Sequence, residues 1–125
     1  MTALSIRTSA PYRGTFNEVS NREDWIIDIE IVEDTDDEDA VDISEATITF
    51  EVQDGLCQKL LATTGNGKVT FPNGGTDGLF RVSFPYTEMD DLAEKNYEVG
   101  CVITLDGVRR QLLVVTVPIV EGHIS

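Results

Sequence analysis

The chain of 125 residues carries 23 acidic residues against nine basic ones, a formal net charge of −14 at pH 7. This length fits one domain with its own core, and the acidic balance argues against nucleic acid and anionic membranes, since both are bound through clustered basic side chains. The sequence has no apolar run of about 18 residues that could cross a bilayer, and its N-terminus does not resemble a signal peptide. We therefore expect one soluble domain over residues 1–125.

Alternation of apolar and polar side chains runs through most of the chain, which is typical of strands with one buried and one wet face. In chain order it predicts strands at residues 25–31, 46–53, 56–63, 68–71, 79–84, 97–105 and 108–117. Turn signals separate them at Asp54-Gly55, at residues 64–67 and at Asp106-Gly107, and Asp-Gly favours a type I′ hairpin. Residues 112–117 are apolar at both parities, which predicts cover on both faces of the last strand.

One short helical turn is predicted after the strand at 79–84. Thr87 can cap it, with Asp90 as the third helical residue and with Met89 and Leu92 on one face. The whole pattern amounts to about seven or eight short strands with turn signals every 8 to 12 residues or so, which predicts an all-β, antiparallel sandwich.

The apolar parity of these strands predicts the core. Its expected members are Trp25, Ile27, Ile29, Ile48, Phe50, Val52, Phe80, Val82, Phe84, Tyr97, Val99, Ile103 and Leu105.

An acidic loop is predicted at residues 33–42. Seven of its ten residues are acidic and none is basic: Glu33, Asp34, Asp36, Asp37, Glu38, Asp39 and Asp42. Carboxylates this close repel one another more strongly as water is removed, so we expect the loop either to stay solvated or to engage a basic surface on a partner. Its docking candidates are Asp36, Asp37, Glu38 and Asp39.

The same segment partly matches the calcium loop of EF-hands. With Asp34 counted first, the third, fifth, ninth and twelfth positions are Asp36, Glu38, Asp42 and Glu45. The sixth position holds Asp39 in place of the glycine that the sharp turn needs, and the flanks are strands. These five residues form a partial calcium candidate, and a solvated loop is the alternative.

The chain has two cysteines, Cys57 and Cys101, without the spacing of a zinc or redox motif. Cys101 shares the inward parity of Val99 and Ile103, which predicts a buried, reduced thiol. A disulfide, within the chain or to a neighbouring subunit, is the alternative.

The sequence offers no catalytic constellation. Its one histidine, His123, lies near the C-terminal end, where a base is poorly oriented, and there is no P-loop, GxSxG or HExxH motif. We expect a protein that is not an enzyme and that holds no cofactor.

In their order, these segments resemble a family of phage virion modules, the immunoglobulin-like β-sandwiches of the N-terminal attachment domains of upper baseplate and tail-fibre proteins. The resembling residues are Arg13-Gly14-Thr15-Phe16, 41–52, 63–67, 78–84, and 96–99 together with Asp106-Gly107. The acidic run is longer than the usual turn in that family, and the chain ends with the domain.

The resemblance implies a single immunoglobulin-like sandwich in a virion, made in the host cytoplasm, with other virion proteins as partners and a symmetric homo-oligomer within a larger assembly. Tail, baseplate, neck and collar are the expected locations. A capsid-surface decoration protein and a calcium- or carbohydrate-binding β-sandwich module are the alternatives.

Overall fold

The structure, a computed structural model, describes residues 2–7, 12–33 and 40–121 and contains ten strands and one short helix in these ranges. The elements are β1 (Thr2–Arg7), β2 (Tyr12–Thr15), β3 (Val19–Ser20), β4 (Trp25–Val32), β5 (Thr47–Asp54), β6 (Cys57–Thr63), β7 (Val69–Thr70), β8 (Leu79–Phe84), α1 (Tyr86–Met89), β9 (Lys95–Leu105) and β10 (Val108–Val120).

Two sheets pack face to face. One has four strands in the order β1-β4-β8-β7, and the other has six, in the order β2-β10-β9-β5-β6 with β3 also paired to β10. Inward side chains of β4 and β8 on one sheet and of β5, β6, β9 and β10 on the other form one apolar cluster, because alternation places every second residue of these strands on that side. The predicted all-β sandwich with one short helix is confirmed.

The N-terminal strands correct the prediction of seven or eight antiparallel strands. Strand β1 pairs in parallel with β4, and β2 and β3 pair in parallel with β10, so the chain passes from the edge of one sheet to the edge of the other. All four residues of β2 are exposed and β3 has only two residues. Neither has enough alternation to be recognised, and alternation carries no information on strand direction.

Twelve of the thirteen predicted core residues are buried, and Leu105, at the end of β9, is partly buried against the cluster. The aromatic rings lie near the centre. The Trp25 ring is 6.0 Å from Phe50 and 6.2 Å from Phe16 in edge-to-face arrangements, and 5.9 Å from Phe84. Such ring pairs add stability beyond the apolar area that they bury.

Strand β10 is not covered on both faces, so that prediction is wrong. Its register against β9 shifts between Gln111 and Leu113, and the extra residue of this β-bulge leaves Leu112 and Leu113 both buried. The parity reverses at this point, and Val114 is 41% exposed on the outer face. Residues 112–117 are apolar at both parities because, after the bulge, the positions that face the core are the odd-numbered ones instead of the even-numbered ones.

The helix begins two residues earlier than a cap at Thr87 would place it. Pro85 occupies the N-cap position without a side-chain cap, and the Asp24 carboxylate accepts a hydrogen bond of 2.7 Å from the Tyr86 N–H. The predicted burial of Met89 and Leu92 is confirmed. The Asp106-Gly107 turn is also as predicted, since both residues have positive φ, 53° and 78°, as type I′ requires.

Trp25 provides a first test of the core. Its buried Nε1 has no hydrogen-bond partner among the described residues, and such an orphan donor costs about 1 to 3 kcal/mol. Trp25→Phe removes the donor as well as some ring area, so we expect the free energy of unfolding to fall by only about 1 kcal/mol, against about 3 to 5 kcal/mol for Trp25→Ala. Urea denaturation followed by circular dichroism measures both. A loss for Trp25→Phe of about 2 kcal/mol or more would mean that the indole N–H is satisfied in the folded protein.

Candidate docking surfaces

The acidic loop is held at its base by the sandwich. Val32 bridges Ala40, and the Val41 N–H donates to the Ile31 carbonyl at 3.1 Å. Two residues further on, the Ile43 N–H donates to the Gly75 carbonyl at 2.9 Å. The docking candidates Asp36, Asp37, Glu38 and Asp39 lie outside the described residues. Their role in docking remains a prediction.

The calcium candidate is described only at its end. Asp34, Asp36 and Glu38 lie outside the described residues. The Asp42 carboxylate accepts hydrogen bonds from the Ser44 N–H at 3.0 Å and the Ser44 hydroxyl at 2.7 Å, and the hydroxyl bond is the main cause that holds the pKa of Asp42 below its usual value. One oxygen of Asp42 is therefore already engaged in a local turn, and Glu45 is exposed. Calcium binding by this segment stays a prediction.

The two cysteines are free and far apart. Cys57 is exposed beside the β5–β6 turn, while Cys101 is fully buried in β9, as predicted. Their partners on β5 are Asp54 and Phe50, so the two lie on opposite sides of β5 and about 13 Å apart along it. This exceeds the reach of a disulfide, and an intrachain bond is ruled out in this fold. Burial raises the pKa of the Cys101 thiol far above its usual value.

The free edge of β6 is closed by a loop side chain. The Thr64 N–H bonds to Ile48 on β5, so by alternation the Leu61 carbonyl and the Thr63 N–H point away from β5. The side-chain amide of Asn66 forms hydrogen bonds with both groups. Its Oδ1 accepts from the Thr63 N–H at 2.9 Å, and its Nδ2 donates to the Leu61 carbonyl at 3.0 Å. A register shift at Lys59 interrupts the rest of the edge. Both features hinder the addition of a further strand.

Asn66→Ala tests this closure. The substitution leaves two backbone groups of β6 open, and we expect it to lower the free energy of unfolding by about 1 to 2 kcal/mol and to increase self-association at high concentration. Asn73→Ala is the matched control, because Asn73 donates only to the Asp77 carboxylate in another loop. Urea denaturation and light scattering provide the two measurements. If Asn66→Ala behaved like Asn73→Ala in both, the amide would not protect the edge.

The outer face of the six-stranded sheet contains a depression of about 470 Å³. Gly100 forms its floor, because it lies in register between Glu51 on β5 and Val114 on β10 and has no side chain. The walls come from three strands and are mainly polar: Thr47, Thr49, Glu51, Gln53, Glu98, Val102, Thr104, Arg109, Gln111 and Val114. The volume is in the range of ligand and anchor pockets, about 300 to 1,000 Å³.

The bulge in β10 fixes one wall of this depression. The Gln111 Nε2 donates to the carbonyls of Cys101 at 3.2 Å and Leu113 at 2.9 Å, which are register partners directly beyond the bulge. The Gln111 amide is therefore bound to the sheet itself. Sequence reasoning missed this surface, although an isolated glycine within a strand, Gly100, is a recognised signal of a bulge or close approach.

Both sheets hold a charge pair between neighbouring strands, and on the six-stranded sheet it joins Lys95 of β9 to Asp54 of β5 at 2.8 Å, but two charges at the depression are unpaired in the described ranges. Arg81 holds Asp28 on the neighbouring strand with two hydrogen bonds of 2.7 and 3.1 Å, which lower the pKa of Asp28. On the six-stranded sheet, Arg109 and Glu98 both line the depression, and no ion pair involves either of them among the described residues. This outer face thus offers charged groups to a partner.

Two further features concern the described part of the chain. None of its helices is long and apolar enough to cross a membrane, and it holds no cluster of three or more His, Cys, Asp and Glu side chains suited to a metal ion. His123 lies outside this part.

No protein-family model matches the sequence, and no curated protein gives a significant match. Among solved structures, the chain is similar to the N-terminal domain of ORF48 of phage TP901-1, with a TM-score of 0.56 and 11% sequence identity. The match covers 98% of this chain and 100% of that domain. The shared fold therefore extends over almost all of this chain. The sequence resembles phage virion modules, and the structure supports this at the level of the fold: a domain of a phage protein has a similar fold.

Proposed function

We propose that this protein is a non-enzymatic structural protein of a phage virion, a component of the tail, baseplate, neck or collar that docks to other virion subunits. The observation that carries the proposal is the fold shared over 98% of the chain with a domain of a phage protein. A fold alone does not set a function, so the surfaces of the chain supply the rest of the support.

These surfaces favour docking over chemistry. A catalytic site needs an acid, base or nucleophile held by a partner in a cleft, whereas the depression on the six-stranded sheet is lined by threonine, glutamine, glutamate, valine and one arginine. The closed edge of β6 directs contacts to faces and loops. Symmetric repetition around a particle would then multiply a modest contact.

The proposal is tested on purified particles. Particles from the phage or prophage that encodes the chain are banded on a density gradient and analysed by quantitative mass spectrometry, and the protein is then placed by cryo-electron microscopy. We expect the chain in stoichiometric ratio to tail or neck proteins. Its absence from intact particles would overturn the proposal, and density on the outer capsid surface would support the capsid-decoration alternative instead.

The acidic loop should contribute to docking through its charge. Replacing Asp36, Asp37, Glu38 and Asp39 by serine is expected to leave the fold intact and to slow assembly at low salt, because the loss of these charges removes attraction to a basic partner surface. The difference should shrink at physiological ionic strength, where exposed charges are screened beyond about 8 Å. Assembly rates at two salt concentrations measure the effect.

The matched control removes the same charge elsewhere. It replaces four exposed acids outside the loop and the calcium candidate: Glu18, Glu30, Asp91 and Glu121. If both quadruple variants slowed assembly equally, total charge would be responsible, and the loop would have no role of its own.

A further inference from the structure

We propose that the outer face of the six-stranded sheet pairs two copies of this chain, with Arg109 of each copy beside Glu98 of the other. The inference rests on the proposed docking function and deepens it by naming a partner, a second copy, and the surface that binds it. Four features of the face support the inference. Two of its charges have no partner within the described part of the chain, its net charge is close to zero, its charges are arranged so that two copies can pair symmetrically, and its depression leaves apolar side chains exposed to water.

The unpaired charges cannot meet within one chain. Arg109 is in register with Thr104 on β9, and Glu98 lies six residues before Thr104 on the same strand. Six residues of extended strand span about 20 Å, beyond the reach of an arginine and a glutamate side chain. Both groups stand on regular strands, so their positions are fixed before any partner arrives. A preorganised charge loses less freedom on binding.

The face is also locally neutral on a strongly acidic molecule. Its outward charged residues on β2, β5, β9 and β10 are two acids, Glu51 and Glu98, and two bases, Arg13 and Arg109. Arg13 belongs to this face because it is in register with the outward Val114. Two acids and two bases cancel, whereas the whole chain has a net charge of −14. Two such molecules repel each other over most of their surfaces, and that repulsion is smallest where neutral faces meet.

The distribution of charge along the face is self-complementary. Arg109 lies at one end of the depression and Glu98 at the other. A two-fold axis in the contact plane and across the strands would bring the Arg109 end of one copy onto the Glu98 end of the other. Because an isologous contact repeats each interaction, one such pair becomes two.

The depression provides room for the partner's side chains. Its Gly100 floor can receive a long side chain, such as Arg109, from the second copy, and the contact would cover Val114, which is 41% exposed, and the half-buried Val102. A face of four strands (β2, β10, β9 and β5) and seven residues measures roughly 19 Å by 23 Å, so the contact buries on the order of 900 Å² in total. This lies at the small end of specific interfaces, and we expect a dissociation constant of about 1 to 100 μM.

A charge exchange tests the pairing on the full chain. Sedimentation velocity from about 1 to 500 μM should show a monomer–dimer equilibrium for the parent. Arg109→Glu places like charges opposite each other, and so does Glu98→Arg, and each should raise the dissociation constant at least about tenfold. An equimolar mixture of the two variants restores both pairs and should dimerise like the parent. Urea denaturation followed by Trp25 fluorescence confirms that each variant is folded.

Arg110→Glu is the matched control. It makes the same change in charge one residue further along β10, at a position in register with Ile103, whose side chain faces the core, and it should leave dimerisation unchanged. The inference is overturned if the parent stays monomeric at the highest concentration, if Arg109→Glu dimerises like the parent, or if the mixture stays monomeric. Each of these outcomes leaves the docking function open, since particle content tests that separately.

Discussion

Gly78→Ala is expected to lower the free energy of unfolding by about 3 kcal/mol or more. Gly78 is buried with φ at +76°, and an added Cβ would collide with the Ile31 carbonyl oxygen and lie 3.2 Å from the Val41 carbonyl oxygen. Neither oxygen can move freely. Ile31 both donates to the Gly78 carbonyl, at 2.8 Å, and accepts from the Val41 N–H. The substitution would therefore disturb the base of the acidic loop as well as the end of β4.

Gly107→Ala separates this collision from simple backbone strain. Gly107 has almost the same φ, +78°, but nothing lies within 4 Å of an added Cβ. Its substitution should cost only the strain of a left-handed residue, about 1 to 2 kcal/mol. Urea denaturation of both variants, followed by the fluorescence of the one tryptophan, gives the comparison. Similar losses for the two would show that the loop around Gly78 can relax and that the close approach contributes little.

The strand faces could be predicted from the sequence because they depend on local alternation. Phe80, Val82 and Phe84 occupy one parity of a short segment, and only one side of a strand can face the core. The same reasoning placed the type I′ turn, since Asp106-Gly107 tolerates two positive φ angles in succession. These features depend on residues that are close together in the sequence.

Features that depend on contacts between distant segments could not be predicted in this way. Nothing near Gly78 in the sequence indicates that Ile31 and Val41 pack against it. In the sequence alone Asn66 is an ordinary turn residue, and only the structure shows that its amide bonds to the edge of β6. The bulge at Leu112 was misread as burial on both faces, because a change of parity and a doubly covered strand produce the same apolar run.

The candidate docking surfaces show the same division. The acidic loop was evident from composition alone, but its partner is not encoded locally. The outer face of the six-stranded sheet was missed because its side chains come from β5, β9 and β10, and their polar residues looked like ordinary solvent-facing positions. Only the register shows that Gly100 creates a depression between Glu51 and Val114.

Phe50→Ala should cost about 3 to 5 kcal/mol of unfolding free energy. Phe50 is fully buried at the centre of β5, with Ala62 of β6 and Cys101 of β9 as its register partners. Its ring lies 6.0 Å from Trp25 and 5.9 Å from Phe84, both on the opposite sheet. Truncation leaves a cavity between the two sheets, and rigid strands on both sides limit its collapse.

The neighbouring position Thr49 provides the control, because it faces outward from the same strand and Thr49→Ala should cost less than about 1 kcal/mol. Phe50→Leu should recover much of the loss, since it refills most of the cavity with apolar atoms. Urea denaturation measures the stability of all three variants, and Trp25 fluorescence reports whether the ring cluster has opened. A loss below 1 kcal/mol or so for Phe50→Ala would mean that the ring is not held between the sheets. In that case the register of β5, and with it the outward placement of Glu51 and Gln53 around the depression, would have to be reassigned, because a shift of one residue exchanges the two faces of a strand.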